Sequence, residues 1–260
     1  MKEELYGKIE TYGLWYELFK ESLLGMNIGL PGDVDSSGEE NVCKLLANLC
    51  GEIKTAFDVG ANSGEYSKML RRHFPDAKIH CFEPAKKTFE VLKKNIGEKK
   101  DIIINNIAIS DEAGLLDLYY DKEISGLASL YKRQLEYLNI DFTKSEKVLV
   151  ETLDAYCERN HIDNIDFLKM DIEGNEFSAL RGGKKLLAEK CIGAIQIEFG
   201  GCNIDSRTFF RDFWNLLHKD FFVYRILKNG FWEITNYTER LECFCCTNYI
   251  FVRKDMKKRE

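Results

Sequence analysis

The residues best suited to chemistry lie where short apolar runs end in glycine or in acid. The first such place is Phe57-Asp58-Val59-Gly60-Ala61-Asn62-Ser63-Gly64. Glycines directly after a strand let the backbone pass close to a ligand and open the next helix without a Cβ in the way. Gly60 and Gly64 stand four apart with Asn62 between them, so this is not the G-x-G-x-x-G turn that cradles a pyrophosphate. A nucleoside without phosphates fits better. The second place is Cys81-Phe82-Glu83-Pro84, with Glu83 lying 23 residues after Gly60. A carboxylate at that spacing, ending a second strand, can accept hydrogen bonds from two neighbouring ribose hydroxyls, and its charge repels a 2′-phosphate. The alternative is a structural turn with a surface carboxylate. The third place is Lys169-Met170-Asp171-Ile172-Glu173-Gly174-Asn175-Glu176. Period-two alternation puts Lys169, Asp171 and Glu173 on one side if the strand persists that far. Charges inside a buried strand are costly unless paired, so Lys169 is expected to have a carboxylate partner. Gly174 then permits a sharp exit into a helix whose first turn favours Glu176.

Positioning these residues requires strands alternating with helices, and the hydrophobic pattern supplies them. Residues 55–60, 78–84, 102–110, 115–121, 165–173, 192–199, 221–227 and 243–253 read as strands. Residues 64–73, 85–97, 150–161, 175–189 (with a glycine break) and 207–219 read as helices. Residues 1–30 form an amphipathic helical pattern through Leu5, Ile9, Tyr12, Trp15, Tyr16, Phe19 and Leu23. That helix is expected to pack across the sheet end as part of the site wall. The turn-rich 31–40 follows, with Ser36 or Ser37 able to cap a helix over about 39–51. The fold class is therefore α/β: a Rossmann-like, doubly wound, mostly parallel seven-stranded sheet with an antiparallel edge, plus an N-terminal helical extension. Residues 1–50 read as the extension and 51–260 as the main domain, with a polar insertion or lid near 122–147. Such sheets bind ligands beyond the carboxyl ends of their strands, where all three places above fall.

In order along the chain, DVGANSG, CFEP, NNIAIS, SGLASL before ETLD, IDFLKMDIEGNEFSALRGG and IQIEF resemble FkbM-type methyltransferases. These are class I enzymes that use S-adenosylmethionine. The resemblance covers roughly residues 52–200, and LKMDIEGNE with its downstream RGG is the most specific stretch. It implies that Asp58, Gly60, Ala61, Asn62 and Gly64 line the methionine and ribose side of the cofactor, with Asp171 nearby. It also implies that Glu83 binds the ribose hydroxyls and that Asn106, Ile107 and Ala108 sit near the adenine. The implied reaction is methylation of a hydroxyl on a sugar, a glycan or a secondary-metabolite precursor. There a carboxylate orients the acceptor oxygen and takes its proton. Asp171, Glu173 and Glu198 (the last ending Gln196-Ile197-Glu198-Phe199) are the candidates. The same three acids could instead hold Mg²⁺, a role not favoured, or Asp171 and Lys169 could merely pair.

Composition bounds the remaining possibilities. Lys+Arg of 37 against Asp+Glu of 43 gives a net charge of −6, which disfavours a nucleic-acid partner. No apolar run approaches a membrane span, and the first residues carry Glu and Lys rather than a signal peptide's apolar block, so a cytoplasmic chain is expected. The partner is then a small-molecule or glycan acceptor. Nine cysteines include Cys243, Cys245 and Cys246, but no CxxC or HxxxH pair accompanies them, and they read as reduced thiols in a buried strand. The dispersed His73, His80, His161 and His218 are assigned no metal. The run Phe209, Phe210, Phe213, Trp214 reads as core. Phe231 and Trp232, after Asn229-Gly230, could offer a sugar-stacking surface, and the Lys-rich end including Lys254 reads as solvated. Two other functions stay open. An NAD-dependent sugar oxidoreductase or epimerase would share the fold and Glu83, but it wants G-x-G-x-x-G and a Tyr/Lys pair that YDKEIS and YKRQ match poorly. A non-catalytic S-adenosylmethionine-binding module would be indifferent to Asp171 and Glu173.

Overall fold

A computed structural model describes residues 5–29, 37–97 and 101–256, the side chain of Cys50 apart. Ser36 and the last four residues lie outside them. Two helices come first, α1 (Ile9–Gly25) and α2 (Glu40–Cys50). Then β1 (Thr55–Val59), α3 (Glu65–His73), β2 (Lys78–Phe82), α4 (Lys86–Ile96) and β3 (Ile102–Asn105) alternate. A short β4 (Ala108–Ile109), β5 (Gly114–Tyr120) and β6 (Lys144–Glu151) follow. Alternation resumes with α5 (Leu153–Arg159), β7 (Ile165–Met170), α6 (Glu176–Arg181), α7 (Lys184–Ala188) and β8 (Ile192–Phe199). The chain finishes with α8 (Cys202–Ser206), α9 (Phe210–Leu217), β9 (Phe221–Leu227), β10 (Gly230–Glu233) and β11 (Thr247–Arg253).

The main sheet has eight strands in the order β10-β9-β11-β8-β7-β1-β2-β3. β3, β2, β1, β7 and β8 run parallel, whereas β11 is antiparallel to both β8 and β9. The class is the expected α/β one with an antiparallel edge. The eighth strand is β10, which folds back on β9 as a hairpin at Lys228-Asn229. Alternation along each strand sends Phe57, Val59, Leu168, Met170, Ile195 and Ile197 into one apolar layer, which α5, α6 and α9 complete. Ala56, Phe167 and Ala194 face the other layer, with Val42, Cys43 and Leu46 of α2 and Met69 and Leu70 of α3.

Several local expectations are corrected. β5 leaves the main sheet for a three-stranded one of order β4-β6-β5, because the run 102–110 breaks at Asn106-Ile107 and only its last residues pair with β6. The helix expected from 150 starts at Leu153, where the Thr152 hydroxyl accepts from the Ala155 amide at 3.1 Å. β11 starts at Thr247, so Cys243, Cys245 and Cys246 are half-buried loop residues rather than strand residues. α1 buries no residue and leaves Ile9, Tyr12, Leu14, Tyr16 and Phe19 exposed, so it does not wall the sheet end. Ser37 is not the α2 cap: it precedes the cap residue Glu39, and its hydroxyl donates to the Glu39 carboxylate at 2.9 Å. Trp232, 65% exposed, sits on β10 at the far edge of the sheet from β1 and β2. The Lys254 ammonium is tied to the carbonyls of His218 and Lys219, both at 3.0 Å. Phe210 and Phe213 are core as expected, whereas Phe209 is exposed and Trp214 only partly buried. Among the described residues no helix is long and apolar enough to cross a membrane.

Candidate functional site

The turn after β1 is glycine by necessity. Gly60 adopts φ +79°, and a Cβ there would lie 1.9 Å from the Asp171 carbonyl oxygen, so the β1 and β7 exits touch back to back. The Gly60 and Ala61 amides both donate to the Phe82 carbonyl, at 3.0 and 2.9 Å, which binds the turn to the end of β2. Glu83 comes next and is buried. Its carboxylate accepts from the Asn62 amide at 3.1 Å and the Ala85 amide at 2.8 Å. Burial pushes the Glu83 carboxyl up to about 7 in spite of those two donors. Asn106 supports the same corner from behind, donating to the carbonyls of Glu83 and Pro84 at 2.8 and 2.9 Å.

Beneath the turns runs a buried ionic chain. Registration sets Asp58, Lys169 and Gln196 side by side on β1, β7 and β8. Lys169 Nζ lies 3.3 Å from Asp58, 3.6 Å from Asp171 and 5.1 Å from the Tyr66 ring centroid. It also donates to the Gly60 carbonyl at 3.3 Å. Burial alone would lower the ammonium's pKa, but Asp58, Asp171 and Glu39 together hold it above its ordinary range. The expected carboxylate partner of Lys169 is therefore present. Asp58 is fully buried, its second oxygen accepting from Ser67 Oγ at 2.6 Å. Tyr66 donates to Gln196 at 2.6 Å, and Gln196 donates to Glu39 at 2.6 Å.

The β7 exit departs from the expected alternation, since the strand stops at Met170. Lys169 turns under toward Asp58, Asp171 projects 44% exposed, and Glu173 is reached only through a loop. Glu173 takes φ +51° and Gly174 φ +99°. A left-handed non-glycine residue costs on the order of 1–3 kcal/mol, so its surroundings must hold it. Ser129 Oγ donates to its carbonyl at 2.7 Å, and Arg133 pairs with its carboxylate. Arg133 is itself buried and reaches Asp205 at 3.6 Å. Glu176 folds back to accept from the Ile172 and Gly174 amides at 2.9 and 3.3 Å, and burial lifts its carboxyl to about 7. Glu198 accepts from Cys246 Sγ at 2.7 Å and is pushed to about 8, first by burial and then by Asp171. Burial and the neighbouring Glu198 drive Glu173 well above the carboxylate range, with Arg133 opposing them. Ligand atoms of Glu173, Glu198 and Cys202 lie within 4.8 Å of one another.

These exits enclose a cleft of about 620 Å³. Of the residues expected at the cofactor, Gly60, Asn62, Glu83, Ile107, Ala108 and Asp171 line it, together with Glu173. Asp58, Ala61, Gly64 and Asn106 do not, and Glu198 stands behind Glu173. Gly64 is a packing residue whose Cβ would lie 2.8 Å from Leu92 and 2.9 Å from Ile96. Sequence reasoning named no role for Ser125, Gly126, Ala128 or Leu130, which form the wall opposite Glu83, although they belong to the quoted SGLASL phrase. Asn175 was likewise given no role although it belongs to the LKMDIEGNE stretch, and Arg133 carried no signal.

A sequence profile described as "Methyltransferase FkbM domain" matches residues 58–226. The 2-O-methyltransferase NoeI of Sinorhizobium fredii is 28% identical over 141 residues, 51% of this chain and 58% of that protein. The methyltransferase sdnD of Sordaria araneosa is 30% identical over 166 residues, 54% of this chain and 64% of its own. The 31-O-demethyl-FK506 methyltransferase FkbM of Streptomyces tacrolimicus is 30% identical over 151 residues, 48% and 58% of the two chains. The chain thus spans between 58% and 64% of these relatives' lengths. A crystal structure titled methyltransferase FkbM, from Methylobacillus flagellatus KT, has 17% identity and a TM-score of 0.46, covering 77% of this chain and 43% of that one. The profile takes in every strand end that encloses the cleft, and the chain belongs to the FkbM methyltransferase family.

Proposed function

We propose that this chain transfers a methyl group from S-adenosylmethionine to a hydroxyl of a sugar, a glycan or a secondary-metabolite precursor. One observation carries the cofactor half. The cleft is lined by three carboxylates, Glu83, Asp171 and Glu173, and by no Lys, Arg or His. A dinucleotide would bring two phosphates to a lining that offers acids and no basic side chain, whereas a sulfonium nucleoside brings positive charge and a ribose diol. Glu83 fits the diol, and the apolar Ile107, Ala108 and Leu118 fit the base. Relatives named as acting on a 2-O position, on 31-O-demethyl-FK506 and on hexuronic acid support the oxygen acceptor. The division into an extension over 1–50 and a domain over 51–260 with a lid near 122–147 belongs to the same reading.

When bound, the sulfonium supplies an electrophilic methyl group. The residues of the chain then have three tasks. Glu83 and the turn at Gly60 orient the nucleoside. Ser125, Gly126, Ala128 and Leu130 keep water from the cleft. Asp171 and Glu173, with Glu198 behind, accept the acceptor's proton as its oxygen bonds the methyl carbon and the carbon–sulfur bond breaks. A carboxyl lifted by burial, as those of Glu173 and Glu198 are, is the stronger base once ionised. A divalent ion is not part of the proposal: Cys202 is a poor ligand for Mg²⁺, and Arg133 already occupies Glu173.

Calorimetric titration with S-adenosylmethionine, S-adenosylhomocysteine and NAD, each with and without Mg²⁺, tests it. Micromolar binding of the sulfonium pair and silence toward NAD are expected; NAD binding alone overturns the reading. Asp171→Asn is expected to keep cofactor affinity within about threefold and to lower turnover at least tenfold once an acceptor is found. Unchanged turnover removes Asp171 from the mechanism.

A further inference from the structure

Two side chains of the segment between β5 and β6 reach across the cleft, and both land on Glu173. Ser129 Oγ holds the Glu173 carbonyl at 2.7 Å, and is itself fixed by the Tyr131 amide at 3.0 Å. Ser129 also bridges to Tyr119 of β5 through two backbone hydrogen bonds, of 2.8 and 3.0 Å, so the reach starts from an anchored point. Arg133, four residues on, pairs with the Glu173 carboxylate and faces Asp205 of α8 with its Nε. Glu173 is thus gripped at main chain and side chain by the same segment, at the one left-handed non-glycine residue of the β7 exit.

The charges around Glu173 make that grip more than mechanical. Asp171 stands on its own loop, Glu198 on β8, Glu176 on α6, and Cys202 and Asp205 on α8, with Cys246 against Glu198 from the loop before β11. Every one of these groups is acidic or neutral. Arg133 is the cation paired with Glu173, whereas Lys169 lies between Asp58 and Asp171.

We infer that Arg133 is a positioning residue of the reaction: it delivers, from the insertion, the positive charge that favours the ionised form of Glu173 and aims it into the cleft, so the acceptor-side base is assembled only while the insertion is seated. The inference rests on the proposed acceptor-side role of Glu173. It also gives the insertion a function beyond excluding water. Withdrawal of residues 125–133 would remove Arg133 and Ser129 together, leaving Glu173 among acids that favour its protonated form. The base is then switched off whenever the cleft is open.

Carbon-13 NMR titration of the protein labelled at its glutamate carboxyls tests this without cofactor or acceptor, Glu173→Gln identifying the resonance. Arg133→Met is expected to raise the Glu173 midpoint by about one pH unit or more. Arg133→Lys, which keeps a charge but loses the fork, is expected to fall between that variant and the wild type. An unshifted midpoint overturns the inference, and if only the lysine variant folds, its midpoint decides. S-Adenosylhomocysteine binding to the wild type, measured alongside, separates the two failures. Its absence sinks the methyl-transfer reading, whereas intact binding with an unshifted midpoint sinks the role of Arg133 alone. With an acceptor in hand, the acid limb of kcat is expected to move to higher pH in Arg133→Met while KM for S-adenosylmethionine stays put. A fall in kcat without that movement means Arg133 is merely structural.

Discussion

Glu83 is held between two turns, one oxygen on the Asn62 amide and the other on the Ala85 amide, and its carboxyl is lifted to about 7. A ribose diol donates to a carboxylate better than to a neutral acid, so cofactor affinity should depend on pH near neutrality. Below about pH 7 binding must first remove a proton. The dissociation constant of S-adenosylmethionine is therefore expected to rise between pH 8 and pH 6, by at most about tenfold per unit, and to be flat in Glu83→Gln. That variant is also expected to lose about 1.5–3 kcal/mol of binding at pH 8, read by calorimetry. Glu83 could be found from spacing alone, since strand-end position and distance from a glycine turn are local properties of the chain. Asp58 shows the opposite case. The family resemblance implied a ligand contact for it, yet the strand alternation that buries it also turns it onto Ser67 and Lys169. Arg133 was invisible for a third reason: a cation in a polar stretch gains meaning only from the acids brought to it from 40 and 72 positions away.

At the scale of elements, the glycine break within 175–189 is a packing device. α6 ends at Arg181 and α7 begins at Lys184, and a Cβ on Gly182 would lie 2.1 Å from the Ser110 carbonyl oxygen. Gly182→Ala must push the helix pair away from the strand β4 that ends beside Ser110. It is expected to destabilise the fold by about 1–3 kcal/mol in chemical denaturation. The βαβ alternation was legible because four parallel strands, β1, β2, β7 and β8, are buried on both faces and read as largely apolar runs. The small sheet was not, for a physical reason. β6 is Lys144–Glu151, charged at four of its eight positions, and only Val148 and Val150 are buried. A strand with so short a hydrophobic period looks like a polar insertion. The β7 end was misjudged because Asp171 and Glu173 keep the alternating pattern after the backbone has left the sheet.

Across the whole molecule, burial has raised the carboxyls of Glu39, Glu83, Glu173, Glu176 and Glu198 above their ordinary value of 4.5. The folded state therefore binds these protons more tightly than the unfolded chain. Stability must rise as pH falls from about 8 toward 5, the reverse of a salt-bridged carboxylate. The melting temperature of the ligand-free protein is expected to be higher at pH 6 than at pH 8, with Glu198→Gln narrowing the difference; a melting temperature that drops over this window contradicts the burial assigned to these acids. The order of strands has a consequence of another kind. Among the described residues β11 comes last along the chain, yet it lies in the sheet interior between β8 and β9. A chain emerging from the ribosome can assemble β3, β2, β1, β7 and β8 early, but β8 then waits with an open edge, and the β9–β10 hairpin has nothing to join it to the sheet until residues 247–253 have been synthesised. A chain cut before those residues would carry a sheet open along its middle rather than one merely shortened.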